Sequence, residues 1–157
     1  GDLGAQLVLT DLAGAALEAQ AALGGTCIAA DLRQVADCEA VVAAALAAHG
    51  RIDGLVNAAG VWVEGPLDQA TEEDWARCID VNLKGSFFMC ARAIPALTTT
   101  QGAIVTIASD AGVTGNAGAA IYCASKGGVV VMTKALARDK PAAIKAGERV
   151  ESPNTTF

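Results

Sequence analysis

Short apolar runs alternate with longer stretches rich in alanine and leucine along most of the chain. A run of about four to eight apolar residues ending in a polar residue is typical of a buried strand, and a long alanine-rich stretch closed by glycine is typical of a helix. Strands are predicted at 6–11, 26–30, 52–56 and 103–108, and the first helices at 13–23 and 35–49. Because connections of this kind are right-handed crossovers, the alternation predicts an α/β fold with a mainly parallel sheet.

Two more helices are predicted in the second half of the chain. Thr71 offers an N-cap hydroxyl before three acidic residues, which favours a helix from there to about Ala91, with Pro95 near its end. A glycine-rich loop at 111–118 then precedes a helix at 119–138. We find no internal repeat beyond this alternation of strands and helices.

Length and composition narrow the class of protein. The 157 residues suit a single domain, 1–157. The chain is 53% hydrophobic, but no uninterrupted apolar run reaches the length of about 18 residues that suggests a membrane span, so we expect a soluble protein. Its 11 basic and 17 acidic residues give a formal charge of −6, which repels phosphate backbones and argues against a nucleic-acid partner.

The five cysteines form an odd set without C-x-x-C spacing. This argues against a disulfide framework and against a zinc site, and no other metal site is expected. The start of the chain shows no basic segment followed by an apolar one, so no secretory signal is predicted. Reduced thiols in a cytoplasmic protein are the simplest interpretation.

The stretch from Ser109 to Lys126 carries the candidate chemistry. On a helix, Tyr122 and Lys126 project from one face, one turn apart. A phenol has an unperturbed pKa of about 10, and a nearby ammonium lowers it by favouring the phenolate. Ser109 would lie at the carboxyl end of a strand, where open α/β sheets bind ligands, so its hydroxyl could hold the oxygen with which the phenol exchanges a proton. An amphipathic surface pair is the ordinary alternative for Tyr122 and Lys126.

Four motifs follow one another in a fixed order. They are the turn Asn57-Ala58-Ala59-Gly60, then Asn82 in V-N-L-K-G, then Ser109, then Tyr122-Cys123-Ala124-Ser125-Lys126. In this order and spacing they resemble the motifs of the classical short-chain dehydrogenase/reductase family over roughly residues 5–138. The resemblance implies a Rossmann-like, doubly wound, mainly parallel sheet with helices on both faces.

The resemblance also implies a reaction. Hydride passes between NAD and the carbinol or carbonyl carbon of a small-molecule alcohol or ketone. In the family's manner, Tyr122 moves the proton and Ser109 polarises the oxygen. Lys126 lowers the pKa of the phenol and bonds the nicotinamide ribose, while Asn82 holds a water in a proton relay toward Lys126. A satisfied core asparagine is the alternative for Asn82.

Further cofactor and substrate contacts are implied at the strand ends. Asp11 can accept both ribose hydroxyls and repels a 2′-phosphate, which favours NAD over NADP; capping the next helix is the alternative. Asp31, followed by Leu32, resembles the acid that meets the adenine ring, although a turn or N-cap acid is as consistent. The small residues at 57–60 let bare backbone approach the cofactor. Trp62 suggests a partly apolar substrate; simple packing or an oligomer contact is the alternative interpretation.

The resemblance weakens before Gly4. The family's first strand and its T-G-x-x-x-G-x-G turn, which carries the pyrophosphate, have no counterpart there. Since that strand is central in the doubly wound order, we expect a gap between the strand that ends at Asp11 and the strand that leads into Asn57.

The end of the chain departs as well. Asn154 follows Pro153 where the family has Pro-Gly, and the stretch 140–151 lacks a clean apolar strand, so the last strand is expected beyond Phe157. These departures predict a truncated Rossmann-type domain: a fragment, an incompletely traced chain or a degenerate relative.

Two functions therefore remain open. The first is an oxidoreductase of this family, expected to be a homodimer or homotetramer. The second is a catalytically silent or truncated dinucleotide-fold protein that acts through subunit association, with the helices at 75–91 and 119–138 as dimer faces. Binding of NAD would separate the two.

Overall fold

The computed structural model describes residues 4–22, 24–139 and 145–149. The strands are β1 Val8–Asp11, β2 Thr26–Ala29, β3 Gly54–Asn57, β4 Ala103–Ile107 and β5 Lys145–Arg149. The helices are α1 Ala15–Ala22, α2 Val35–His49, α3 Glu72–Ile79, α4 Ser86–Thr100, α5 Ala111–Thr114 and α6 Ala120–Asp139, with a 3₁₀ turn at Leu67–Gln69 and a π-helical segment at Asp80–Gly85. The predicted Rossmann-like alternation of strands and helices is confirmed.

The strands form two separate parallel sheets within the described ranges. β1 pairs with β2 from Val8↔Thr26 to Asp11↔Ala29, and β3, β4 and β5 pair in that order. No backbone ladder joins β1 to β3 there. The expected gap between these strands is confirmed, and each of them keeps one edge without a strand partner among the described residues.

The largest apolar cluster lies where α2 and α4 pack against β4. Cys38 and Leu97 are fully buried in it and Ile104 nearly so. Successive strand residues point to opposite faces of a sheet, so the cluster covers the face of β4 on which the side chain of Ile104 lies. On the other face Val56 and Val105, which are paired in register, are exposed. Among the described residues, no helix is long and apolar enough to cross a bilayer.

Pro95 lies inside α4, contrary to the expectation that the helix ends near it. The helix continues to Thr100, because Leu97, two residues further on, is fully buried in the core cluster. The burial of apolar side chains offsets the backbone hydrogen bond that proline cannot donate.

Two other expectations in the second half need correction. The predicted loop at 111–118 begins with the short helix α5, and the N–H of Ala111 donates to the Asp110 side chain at its start. The stretch 140–151 holds β5, which pairs with β4 although its sequence carries no apolar run. Backbone pairing with a buried neighbour thus forms a strand without the expected pattern. Pro153 and Asn154 lie outside the described residues.

Candidate active site

Ser109 lies two residues beyond the end of β4, as predicted, and is buried. Its hydroxyl donates to Asp110 Oδ1 (3.2 Å) and accepts the backbone N–H of Ala111 (3.2 Å). The side chain is therefore held at the start of α5, at the carboxyl edge of the sheet.

Lys126 connects the helix that carries Tyr122 to the same strand end. The residue is 5% exposed, and its ammonium donates to the carbonyl of Ile107, the last residue of β4, at 2.7 Å. Its Nζ lies 5.9 Å from the centroid of the Tyr122 ring. The predicted common face of Tyr122 and Lys126 is confirmed, and Ser109 lies two residues beyond the carbonyl that Lys126 binds.

A close approach between α5 and α6 fixes this arrangement. A Cβ built on Gly112 would lie 2.5 Å from the carbonyl carbon of Lys126 and 2.6 Å from the nitrogen of Gly127. Only glycine allows the two backbones to approach this closely. The backbone of Lys126 is therefore held directly against the segment that follows Ser109.

The turn after β3 adjoins Lys126 and Asn82. A Cβ on Gly60 would lie 3.4 Å from Asn82 Oδ1 and 3.5 Å from Lys126 Nζ. Residues 58–60 are exposed, while the amide of Asn57 points inward and donates to the Ser86 carbonyl (3.3 Å) and to Cys90 Sγ (3.2 Å). The turn thus presents its backbone outward, as a close contact with a cofactor requires.

The thiol that receives the Asn57 amide is strongly perturbed. Burial raises the pKa of Cys90 to about 11, against the opposing effect of the Asn57 hydrogen bond. A neutral thiol accepts this hydrogen bond, so the contact anchors the turn and leaves Cys90 a weak nucleophile.

Asn82 is a fully engaged core side chain. It is 1% exposed; its oxygen accepts the N–H of Val61 (2.7 Å), and its amide donates to the Val61 carbonyl (3.0 Å) and to Ser125 Oγ (3.0 Å). It lies in the π-helical segment, a rare geometry often found at functional sites. The structure therefore matches the satisfied core asparagine, and the role of Asn82 in a proton relay stays a prediction.

Ser125 was not singled out from the sequence. Its hydroxyl is fully buried, donates to the carbonyl of Tyr122 (2.7 Å) and accepts the Asn82 amide. The available signal is a serine three residues after Tyr122 and directly before Lys126 on the same helix. Together Asn82 and Ser125 connect the turn after β3 to the helical turn that carries the phenol.

Trp62 covers part of Tyr122. The centroids of the two rings are 4.3 Å apart and their planes are inclined by 53°. Trp62 lies two residues after Gly60, so the segment 58–62 supplies both exposed backbone and an aromatic side chain beside the phenol.

The acids predicted to contact the cofactor lie in different settings. Asp11 is exposed, and its Oδ1 accepts the adjacent N–H of Leu12 (2.7 Å), so in the structure it does not cap α1. Asp31 binds the guanidinium of Arg33 (2.7 Å) and accepts its N–H (3.0 Å), and these bonds hold the pKa of Asp31 below its usual value. Asp31 thus matches the turn acid, while Leu32 packs half-buried against the main core. Contacts of these residues with a cofactor stay predictions.

No cluster of three or more histidine, cysteine, aspartate or glutamate side chains suited to a metal ion occurs in the part of the chain that the structure describes.

Comparison with known proteins gives consistent matches. The family model for short chain dehydrogenases matches residues 2–145. The chain is 47% identical over 90 residues to a meso-2,3-butanediol dehydrogenase of Serratia marcescens, a match that covers 57% of this chain and 36% of the relative. It is 39% identical over 143 residues to a D-threitol dehydrogenase of Mycolicibacterium smegmatis, covering 87% and 55% of the two chains.

A solved structure matches over nearly the whole chain. The crystal structure of a short-chain dehydrogenase/reductase of the glucose/ribitol dehydrogenase type from Brucella melitensis superposes with a TM-score of 0.89 at 40% identity. The superposition covers 95% of this chain and 65% of that one. The chain thus spans about a third to two thirds of the length of these proteins.

Proposed function

The chain belongs to the short-chain dehydrogenase family, and from that membership we propose that it serves an oxidoreductase that interconverts a small-molecule alcohol and a ketone with a nicotinamide dinucleotide. One observation supports this most directly. The Lys126 ammonium is bound at the end of β4, two residues before Ser109, and lies on the Tyr122 face of α6.

The proton chemistry follows from these three groups. In the oxidation direction Tyr122 takes the proton of the substrate hydroxyl, and the hydroxyl of Ser109 hydrogen-bonds the same oxygen. The positive charge of Lys126 favours the phenolate that accepts this proton. A bound nicotinamide supplies the acceptor for the hydride that leaves the carbinol carbon, so the alcohol loses two electrons and becomes a ketone.

The described residues fit part of a dinucleotide. The exposed carboxylate of Asp11 can accept ribose hydroxyls, the exposed backbone of 58–60 offers a surface for close approach, and Lys126 can donate to the second ribose. Residues 4–7, the described segment before β1, contain no glycine-rich turn. We therefore assign no residue to the diphosphate.

Calorimetric titration with NAD tests this fit. We propose that NAD is preferred over NADP, because the carboxylate of Asp11 repels a 2′-phosphate. We expect NAD to release binding heat and NADP to bind at least about tenfold more weakly, a difference that Asp11→Ser reduces. Equal binding of both would reject the role of Asp11. The absence of heat with either would favour the alternative, a catalytically silent or truncated dinucleotide-fold protein that acts through subunit association.

The chain contains a single tyrosine, so the ultraviolet absorbance of tyrosinate reports on Tyr122 alone. Lys126→Met removes a positive charge that lies 5.9 Å from the centroid of the Tyr122 ring, and we expect it to move the absorbance transition of the folded protein to higher pH. The measurement needs neither cofactor nor substrate.

Lys134→Met is the matched control, because Lys134 lies on the same helix but is exposed. It removes the same charge two turns away, where water screens it, and should leave the transition in place. A similar shift in both variants would show a general charge effect and reject the specific pairing of Lys126 with Tyr122.

Subunit association remains part of the proposal. Trp75, Phe87 and Val131 are large apolar side chains that are at least half exposed on the helices predicted as dimer faces. We propose that these side chains contribute to the contact between subunits.

A further inference from the structure

We propose that Trp62 is a specificity-determining residue: a fixed indole wall beside Tyr122 that selects cyclic alcohols and ketones with an apolar ring face. This inference rests on the proposed function of the Tyr122 site and names its substrate class.

The backbone around Trp62 is fixed on both sides. The N–H and the carbonyl of Val61 are both bound by the side chain of Asn82 (2.7 and 3.0 Å). Val63 is buried in an apolar cluster against which Tyr122 also packs, and the N–H of Gly65 donates to the carbonyl of Gly118 (2.7 Å). Trp62 therefore projects from a short segment with little freedom to move away from the phenol.

The indole itself is held by two contacts. Its Nε1–H donates to Glu64 Oε2 at 2.7 Å, and its rings contact the ring of Tyr122 at a centroid distance of 4.3 Å. A charge-assisted hydrogen bond and a ring contact together orient the side chain. Glu64 thus acts as a positioning residue for Trp62.

The remaining surface of the indole is available to a ligand. Trp62 is 45% exposed although one part of its ring contacts Tyr122. A substrate whose oxygen meets the phenol then extends along an apolar, rigid, flat surface. A ring with a continuous C–H face gains contact there, whereas an acyclic polyol has to remove hydroxyl groups from water without receiving partners from the indole.

Saturation-transfer NMR on the 157-residue chain measures this preference without turnover. The probes are cyclohexanol and meso-2,3-butanediol, each titrated against the unmodified protein, Trp62→Phe and Trp62→Ala. We expect cyclohexanol to bind more tightly than the diol. Trp62→Ala should weaken cyclohexanol binding about fivefold or more, and Trp62→Phe, which keeps an aromatic face, should weaken it less.

Trp75→Ala is the matched control, since Trp75 is a similarly exposed indole on another element. It should leave cyclohexanol binding unchanged. A second pair tests the positioning role: Glu64→Ala should weaken binding, and Glu64→Gln, which keeps an oxygen to accept the indole N–H, should restore it. The thermal unfolding midpoint of each variant separates these effects from loss of the fold.

Three results would overturn the inference: no cyclohexanol signal with the unmodified protein, unchanged binding in Trp62→Ala, or an equal loss in Trp75→Ala. The proposed function can fail separately. Cyclohexanol binding that depends on Trp62, without oxidation of any alcohol, would keep the ring site and reject the oxidoreductase. Equal oxidation of both probes by the unmodified protein and by Trp62→Ala would keep the oxidoreductase and reject the ring site.

Discussion

We expect Tyr122→Phe to lower the rate of the proposed alcohol oxidation by about a thousandfold, the middle of the range for loss of a general acid or base. The variant lacks the only group proposed to take the proton, but it keeps the ring that contacts Trp62 and the cluster around Val63. Binding of NAD should therefore change little. The measurement is the initial rate of NADH formation, followed by absorbance, with an alcohol that the unmodified protein oxidises.

Thr114→Val provides the control for this loss. It also removes a single hydroxyl, one that donates to the Asp110 carbonyl at 3.0 Å close to Ser109 but is exposed. Its rate should stay within about threefold of the unmodified protein. If Tyr122→Phe kept more than a tenth of the original rate, Tyr122 would not be the acid or base.

Gly112→Ala should cost about 3 kcal/mol of unfolding free energy, at the upper end for overpacking. The added methyl would lie 2.5 Å from the Lys126 carbonyl carbon and 2.6 Å from the Gly127 nitrogen. Both are backbone atoms and cannot rotate away, so α5 and α6 must separate. For a domain of this size the unfolding midpoint should fall by about 10 °C, as measured by circular dichroism. Because Lys126 lies at the contact, activity should fall as well.

Gly65→Ala is the matched substitution. A Cβ at Gly65 meets nothing within 4 Å, and the N–H that it donates to Gly118 is retained. Its stability should be unchanged or slightly higher, since alanine lowers the entropy of the unfolded chain. Equal losses in the two variants would show that the close approach at Gly112 is not what limits stability.

The local sequence was sufficient to predict the bounds of a helix or strand where a single pattern of residues ran through the whole element. The bounds of α2, 35–49, agree with the prediction because an alanine-rich run ends at Gly50, whose left-handed conformation closes the helix. The prediction failed where tertiary packing opposed a local rule. Pro95 stayed within α4 because of the burial of Leu97, and β5 formed through pairing with β4.

The candidate site was predictable in its members but not in its contacts. The spacing of Tyr122 and Lys126 placed both on one face, since helix geometry is local. The hydrogen bond from Lys126 to the Ile107 carbonyl joins residues 19 positions apart. The hydrogen bond between Asn82 and the Val61 N–H joins residues 21 positions apart. No short-range sequence pattern encodes contacts between residues so far apart. Ser125 and Glu64 were missed for the same reason.

The sequence by itself thus determined the alternation of strands and helices, the family and the identity of the candidate catalytic groups, because these depend on local periodicity and motif order. Only the tertiary structure decided that the side chain of Asn82 hydrogen-bonds the backbone of Val61, that Asp31 forms an ion pair with Arg33, and that Trp62 lies against the ring of Tyr122. Polar groups removed from water must find partners wherever the fold brings them, and those partners are fixed by packing between distant segments.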